Sequence, residues 1–204
     1  MQAENGSERF FTTPLIIIFV TVFIDLVGFG MIIPILPFYA ETFNATPFEI
    51  GLLFSIYSWM QFFFSPLLGR LSDKIGRRPV YAVGGLGLAA FIFAFFPMLA
   101  SGEPVTIVAA IVIGLVLHSA MYGPQAAFIT ELFPTRIRYS GVSIAYQLTS
   151  IVAGSLAPII ALWLYSKYDS AVPVAIYVGV ACVISGVSAL LARETKGVEL
   201  ASIR

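Results

Sequence analysis

Six stretches of 20 to 29 mostly apolar residues, separated by short polar turns, organise this 204-residue chain. They run near Pro14–Tyr39, Glu49–Leu68, Pro79–Ala100, Val105–Phe133, Ser140–Ser166 and Val172–Ala192, with ETFNATP, ASGEP and SKYDSA among the turns between them. A helix of about 20 residues crosses ~30 Å of hydrocarbon, so every stretch is long enough to span. Lipid offers no partner for free backbone N–H and C=O groups, which makes helices the expected form. Barrel strands would alternate over about ten residues, and these continuous runs do not. The first run is too long for a signal-peptide core and no small-residue cleavage site follows it, so it reads as a true span. The expected architecture is an all-α polytopic membrane protein: one six-helix bundle over 14–193, with tails at 1–13 and 194–204.

The polar interruptions are not scattered. A span lining water should carry its polar side chains at spacings of three, four or seven. The first span has Thr21, Asp25 and Gly28; the second has Ser55, Ser58, Gln61 and Ser65. The fourth has His118, Tyr122 and Gln125, and the fifth has Ser143, Gln147, Ser150 and Gly154. The third has no Ser, Thr, Asn, Gln or charge between Val80 and Ala100, and the sixth offers only small or interfacial groups. Spans one, two, four and five are therefore expected to line a cavity, with three and six behind them. Gln61, Tyr122, Gln125, Gln147 and Ser150 are the candidate cavity residues.

Composition strengthens this picture. A mean hydropathy of +0.95 with 59% hydrophobic residues and 11% charged lies far from the balance of a water-soluble domain. The net charge of zero matters less than where the charges sit. With six spans both ends share one side. That side receives Arg9, Arg70, Lys74, Arg77, Arg78, Arg136, Arg138, Arg193, Lys196 and Arg204, and only Lys167 falls opposite. The positive-inside rule then predicts cytoplasmic termini.

Two mid-span residues are candidates for chemistry. Asp25 sits eleven positions after Pro14, near the bilayer centre, where a carboxylate costs about 2.5–3.5 kcal/mol on insertion scales. It reads as a protonatable group facing water, against the alternative of a carboxyl that glues two helices together. His118, the single histidine, either shares that proton or is a neutral packed ring. Gly123-Pro124 within the fourth span marks either a broken helix at a substrate site or an ordinary packing kink. One His, one Cys and one Asp do not make a metal shell, no nucleophile–base pair is visible, and neither a cofactor nor nucleic acid is expected.

The turn GRLSDKIGRRP, residues 69–79, gathers five charges between two apolar spans. Gly69, Asp73, Lys74, Gly76, Arg77 and Arg78 complete a pattern that resembles the signature of the major facilitator superfamily, in that family's loop between its second and third helices. ELFPTRIRYSG at 131–141 resembles the counterpart loop, and the resemblance implies that Glu131, Arg136 and Arg138 pair with the first loop at an inside gate. Residues 14–80 resemble the opening helices of drug:proton antiporters. Residues 66–196 resemble the last helices of metabolite:proton symporters. The resemblance implies a fold built from a 3+3 inverted repeat, in a bacterial inner membrane, with two six-helix bundles facing each other across the substrate. It also implies proton-coupled movement of a small organic molecule by alternating access. A parallel homodimer is expected to supply the facing bundle, since closed two-fold symmetry is the commonest assembly. The competing reading is a six-helix scaffold or fragment that moves nothing. A passive channel is disfavoured, because no ring of charged filter residues is present.

Overall fold

The computed structural model describes Val22 and residues 46–131 and 138–192. Five helices occupy these stretches: α1 (Pro47–Ile75), α2 (Arg77–Leu99), α3 (Pro104–Glu131), α4 (Arg138–Tyr168) and α5 (Val172–Leu191). All five are long and apolar enough to cross a membrane. They coincide with the second to sixth expected spans. The first lies outside the described residues apart from Val22, which is helical and buried.

Each helix begins and ends for local reasons. Thr46 caps α1: its hydroxyl accepts the Glu49 N–H, and the Glu49 carboxylate accepts the Thr46 N–H at 2.7 Å, a reciprocal box followed by Pro47 at the first helical position. At ~1.5 Å per residue, the 29 residues of α1 run to about 43 Å, well beyond the hydrocarbon. The surplus carries Arg70, Asp73 and Lys74 past the apolar zone. Gly76 alone separates α1 from α2, with φ 131° and ψ 150°, a region open to glycine and closed to residues bearing a Cβ. Pro66, Pro97, Pro124 and Pro158 sit inside helices. Gly123-Pro124 does not break its span, because α3 continues through it to Glu131.

α2 is the hub. It packs on α3 along one side and α5 along another, while α1 lies against α3. Tyr81, Ile92, Phe95 and Phe96 from α2 meet Met121 and Phe128 from α3 and Val174, Val178 and Cys182 from α5 in one apolar cluster. The third span has a polar group after all: the buried Tyr81 hydroxyl lies 2.9 Å from the Ser185 hydroxyl on α5. The helices approach closely at two glycines of α2. A Cβ on Gly84 would fall 2.8 Å from the Leu117 carbonyl oxygen, and one on Gly85 would lie 3.2 Å from that of Cys182. Membrane helices without a hydrophobic drive toward each other pack through small residues of this kind.

The outer surfaces are apolar, with Trp59, Phe62, Ile144, Ile159 and Leu191 exposed. At the far end of α4 the Lys167 ammonium lies 4.7 Å from the Trp163 ring centre and 5.4 Å from that of Tyr168, an aromatic seat of the kind found at membrane interfaces.

Candidate functional site

Two polar groupings stand out, one at the charged turn and one halfway along α3.

At the charged turn, Arg77 occupies the first position of α2 beside the last turns of α1 and α3. A cation there is unwelcome to the positive end of its own helix but favoured by the carbonyl-rich ends of the other two. Glu131 has the converse problem at the end of α3. The pair resolves both: Arg77 Nη2 donates to Glu131 Oε1 at 3.1 Å, with side chains 13% and 16% exposed. Arg77 Nη1 donates to the Ser72 hydroxyl at 2.9 Å and also pairs with Asp73, whose side chain is 56% exposed. Water screens the Asp73 contact far more than the Glu131 contact. Removing one partner of a shielded pair strands the other charge and costs about 3–5 kcal/mol. Gly69 faces α3, where a Cβ on it would touch the Gly123 carbonyl oxygen at 3.4 Å. Arg70, Lys74 and Asp73 are exposed, Arg78 and Arg138 half-buried. Arg136 lies outside the described residues.

Ser72 was not among the residues singled out from the sequence. Nothing local distinguishes it from the other helix serines; its burial does.

The second grouping is a column on α3. His118, Tyr122 and Gln125 share a face by spacing, but unequally. Tyr122 is 40% exposed, whereas His118 and Gln125 are buried at 9% and 3%. The Tyr122 ring lies over the His118 imidazole, 6.1 Å between centroids and 17° between planes. The Gln125 amide nitrogen is buried with no hydrogen-bond partner among the described residues, and so is the Ser65 hydroxyl oxygen. On α1 Gln61 is half-buried; Ser55 and Ser58 turn their hydroxyls back to their own helix, on the carbonyls of Gly51 and Phe54. On α4 Gln147 and Ser143 are exposed and Ser150 half-buried. Of the expected cavity residues, Gln125 is buried, Gln61 and Ser150 are half-buried, and Tyr122 and Gln147 are exposed. Asp25 lies outside the described residues.

A sequence model described as Major Facilitator Superfamily matches residues 18–202. The inner membrane metabolite transport protein YhjE of Escherichia coli K12 is 34% identical over 172 positions, covering 79% of this chain and 39% of its own length. A proline/betaine transporter of Salmonella typhimurium is 32% identical over 133 positions, 65% of this chain and 26% of its own. The chain thus spans well under half the length of these relatives. A crystal structure of a double-tryptophan XylE mutant superposes with a TM-score of 0.64 at 22% identity, covering 94% of this chain and 42% of that one.

Proposed function

This chain belongs to the major facilitator superfamily, a family of transporters rather than enzymes, and from that premise we propose that it works as one six-helix half of a proton-coupled secondary transporter for a small organic metabolite. It is an integral membrane protein, and we place it in a bacterial inner membrane with both termini cytoplasmic. The observation that carries the reading is the α3 column. A buried amide donor without a partner among the described residues costs stability unless something else meets it. A substrate acceptor entering beside Tyr122 meets that requirement.

In this mechanism Asp25 takes up and releases the coupling proton and His118 shares it. Gln61, Tyr122, Gln125, Gln147 and Ser150 contact the substrate. Gly69, Asp73, Lys74, Gly76, Arg77 and Arg78 with Glu131, Arg136 and Arg138 hold the cytoplasmic side shut. A second bundle covers the exposed amide of Gln147, which is costly to leave in hydrocarbon. We assign that bundle to a second copy, in parallel orientation, with one half rocking against the other.

The test is uptake into liposomes under an imposed proton gradient, comparing the wild type with Asp25→Asn. The expected result is gradient-driven accumulation that the variant abolishes while leaving downhill exchange intact. Equal accumulation by both removes Asp25 from coupling. No flux across a panel of small acids, zwitterions and cations leaves a scaffold and ends the transport reading.

A further inference from the structure

Of the 29 residues of α1, Ser72 is the one whose side chain is fully buried. That is an odd choice in a helix with Trp, Phe and Leu to hide. Its hydroxyl donates to the Gly69 carbonyl at 2.6 Å and accepts from Arg77 Nη1 at 2.9 Å. Helix serines often satisfy themselves by such a bond to the preceding turn, as Ser55 does at 2.9 Å on an exposed face. Ser72 does more, because its oxygen also accepts from a guanidinium.

The consequence is geometric. Arg77 is a planar fork: one arm lies on Ser72 and Asp73, and the other reaches Glu131, 54 residues away. Asp73 is more than half exposed and leaves the fork's rotation weakly defined. Ser72 is enclosed, and its own oxygen is pinned to Gly69, whose backbone lies against Gly123 of α3. One chain of contacts therefore runs from the α1–α3 crossing through Gly69 and Ser72 to Arg77, and from there back to α3 at Glu131.

We propose that Ser72 is a positioning residue: it sets the rotation of the Arg77 guanidinium so that α1, α2 and α3 are clamped at their charged ends into one rigid body. Resting on the transport reading, the Arg77–Glu131 pair stays made within its own bundle through the cycle, and the cytoplasmic side opens where the two bundles part, the three ends tilting together. A serine that merely fills space predicts that alanine serves as well.

The deciding experiment uses the full chain and four forms: wild type, Ser72→Ala, Arg77→Lys and the double variant, with Ser72→Thr as the conservative control. Thermal midpoints are measured in detergent, and turnover and KM in liposomes. Ser72→Ala is expected to lower the midpoint by about 2–4 °C in the wild type. It should do nothing further beside Arg77→Lys, since a single ammonium does not span Ser72 and Glu131. Turnover should fall several-fold with KM unchanged, more steeply at high salt, and Ser72→Thr should restore it. Additive losses in the melting cycle, or wild-type turnover in Ser72→Ala, overturn the proposal. A wild type that moves no solute sinks the transport reading instead, and the melting cycle still judges the clamp.

Discussion

Gly76 is the single residue between α1 and α2, at φ 131° and ψ 150°. That region excludes side chains generally, asparagine included, so Gly76→Ala should cost about 1–3 kcal/mol, read as a lower unfolding midpoint. Gly76→Asn should recover none of it. The motif's glycine was legible as part of the charged turn that carries the family resemblance. The resemblance implied that Glu131 would pair with this loop, and the structure places it on Arg77. Ser72 was not legible. A serine in an apolar helix has the same sequence signature whether it faces lipid or a guanidinium, and the contact that separates the cases depends on how two helix ends meet.

Individual helices follow the hydropathy pattern closely, with informative departures at their ends. α1 starts at Pro47 and runs to Ile75, outlasting its apolar run because Arg70, Leu71 and Lys74 are good helix formers. The Thr46-x-x-Glu49 box lay open in the sequence, but the hydropathy boundary obscured it. Two α-helical glycines make opposite forecasts. A Cβ on Gly123 would lie 2.7 Å from the Ser65 carbonyl oxygen and 3.1 Å from the Gly69 nitrogen, both rigid backbone. Gly123→Ala must push α1 from α3 and should destabilise by about 1–3 kcal/mol. Among the described residues Gly154 has nothing within 4 Å of the same atom, so Gly154→Ala should be neutral or stabilise by about 0.5–1 kcal/mol. Thermal unfolding of both in one detergent checks the contrast; equal losses would mean that this crossing is looser than it stands here. The division of spans was partly legible too. The third, unbroken by Ser, Thr, Asn, Gln or charge, is the packing hub, yet its Tyr81 hydroxyl meets Ser185 across 104 residues, which no periodicity announces.

For the whole molecule the open matter is what faces Gln147, Tyr122 and Gln61. If a second copy does, the charged turn of one chain should reach the start of the other chain's α4. Cysteines at Asp73 and Ser140, in a chain with Cys182 replaced by alanine, should then form a disulfide between chains in native membranes. Cross-links confined to single chains would argue that the opposite bundle comes from elsewhere, with the transport reading untouched.

Along the chain, composition and spacing were enough to determine that this is a helical membrane protein, where the five described spans lie and which turn carries the charge pattern that resembles the family's. Those properties are sums over neighbouring residues: the free energy of moving a segment into lipid, the cost of unpaired backbone there and the steric needs of a turn. Only the tertiary structure decided that α2 is the hub, that His118 lies under Tyr122 while Gln125 is buried, and that Ser72 and Glu131 share one guanidinium. Each of those depends on which faces of distant helices come within a few ångströms, and that is settled by the fit of many side chains at once.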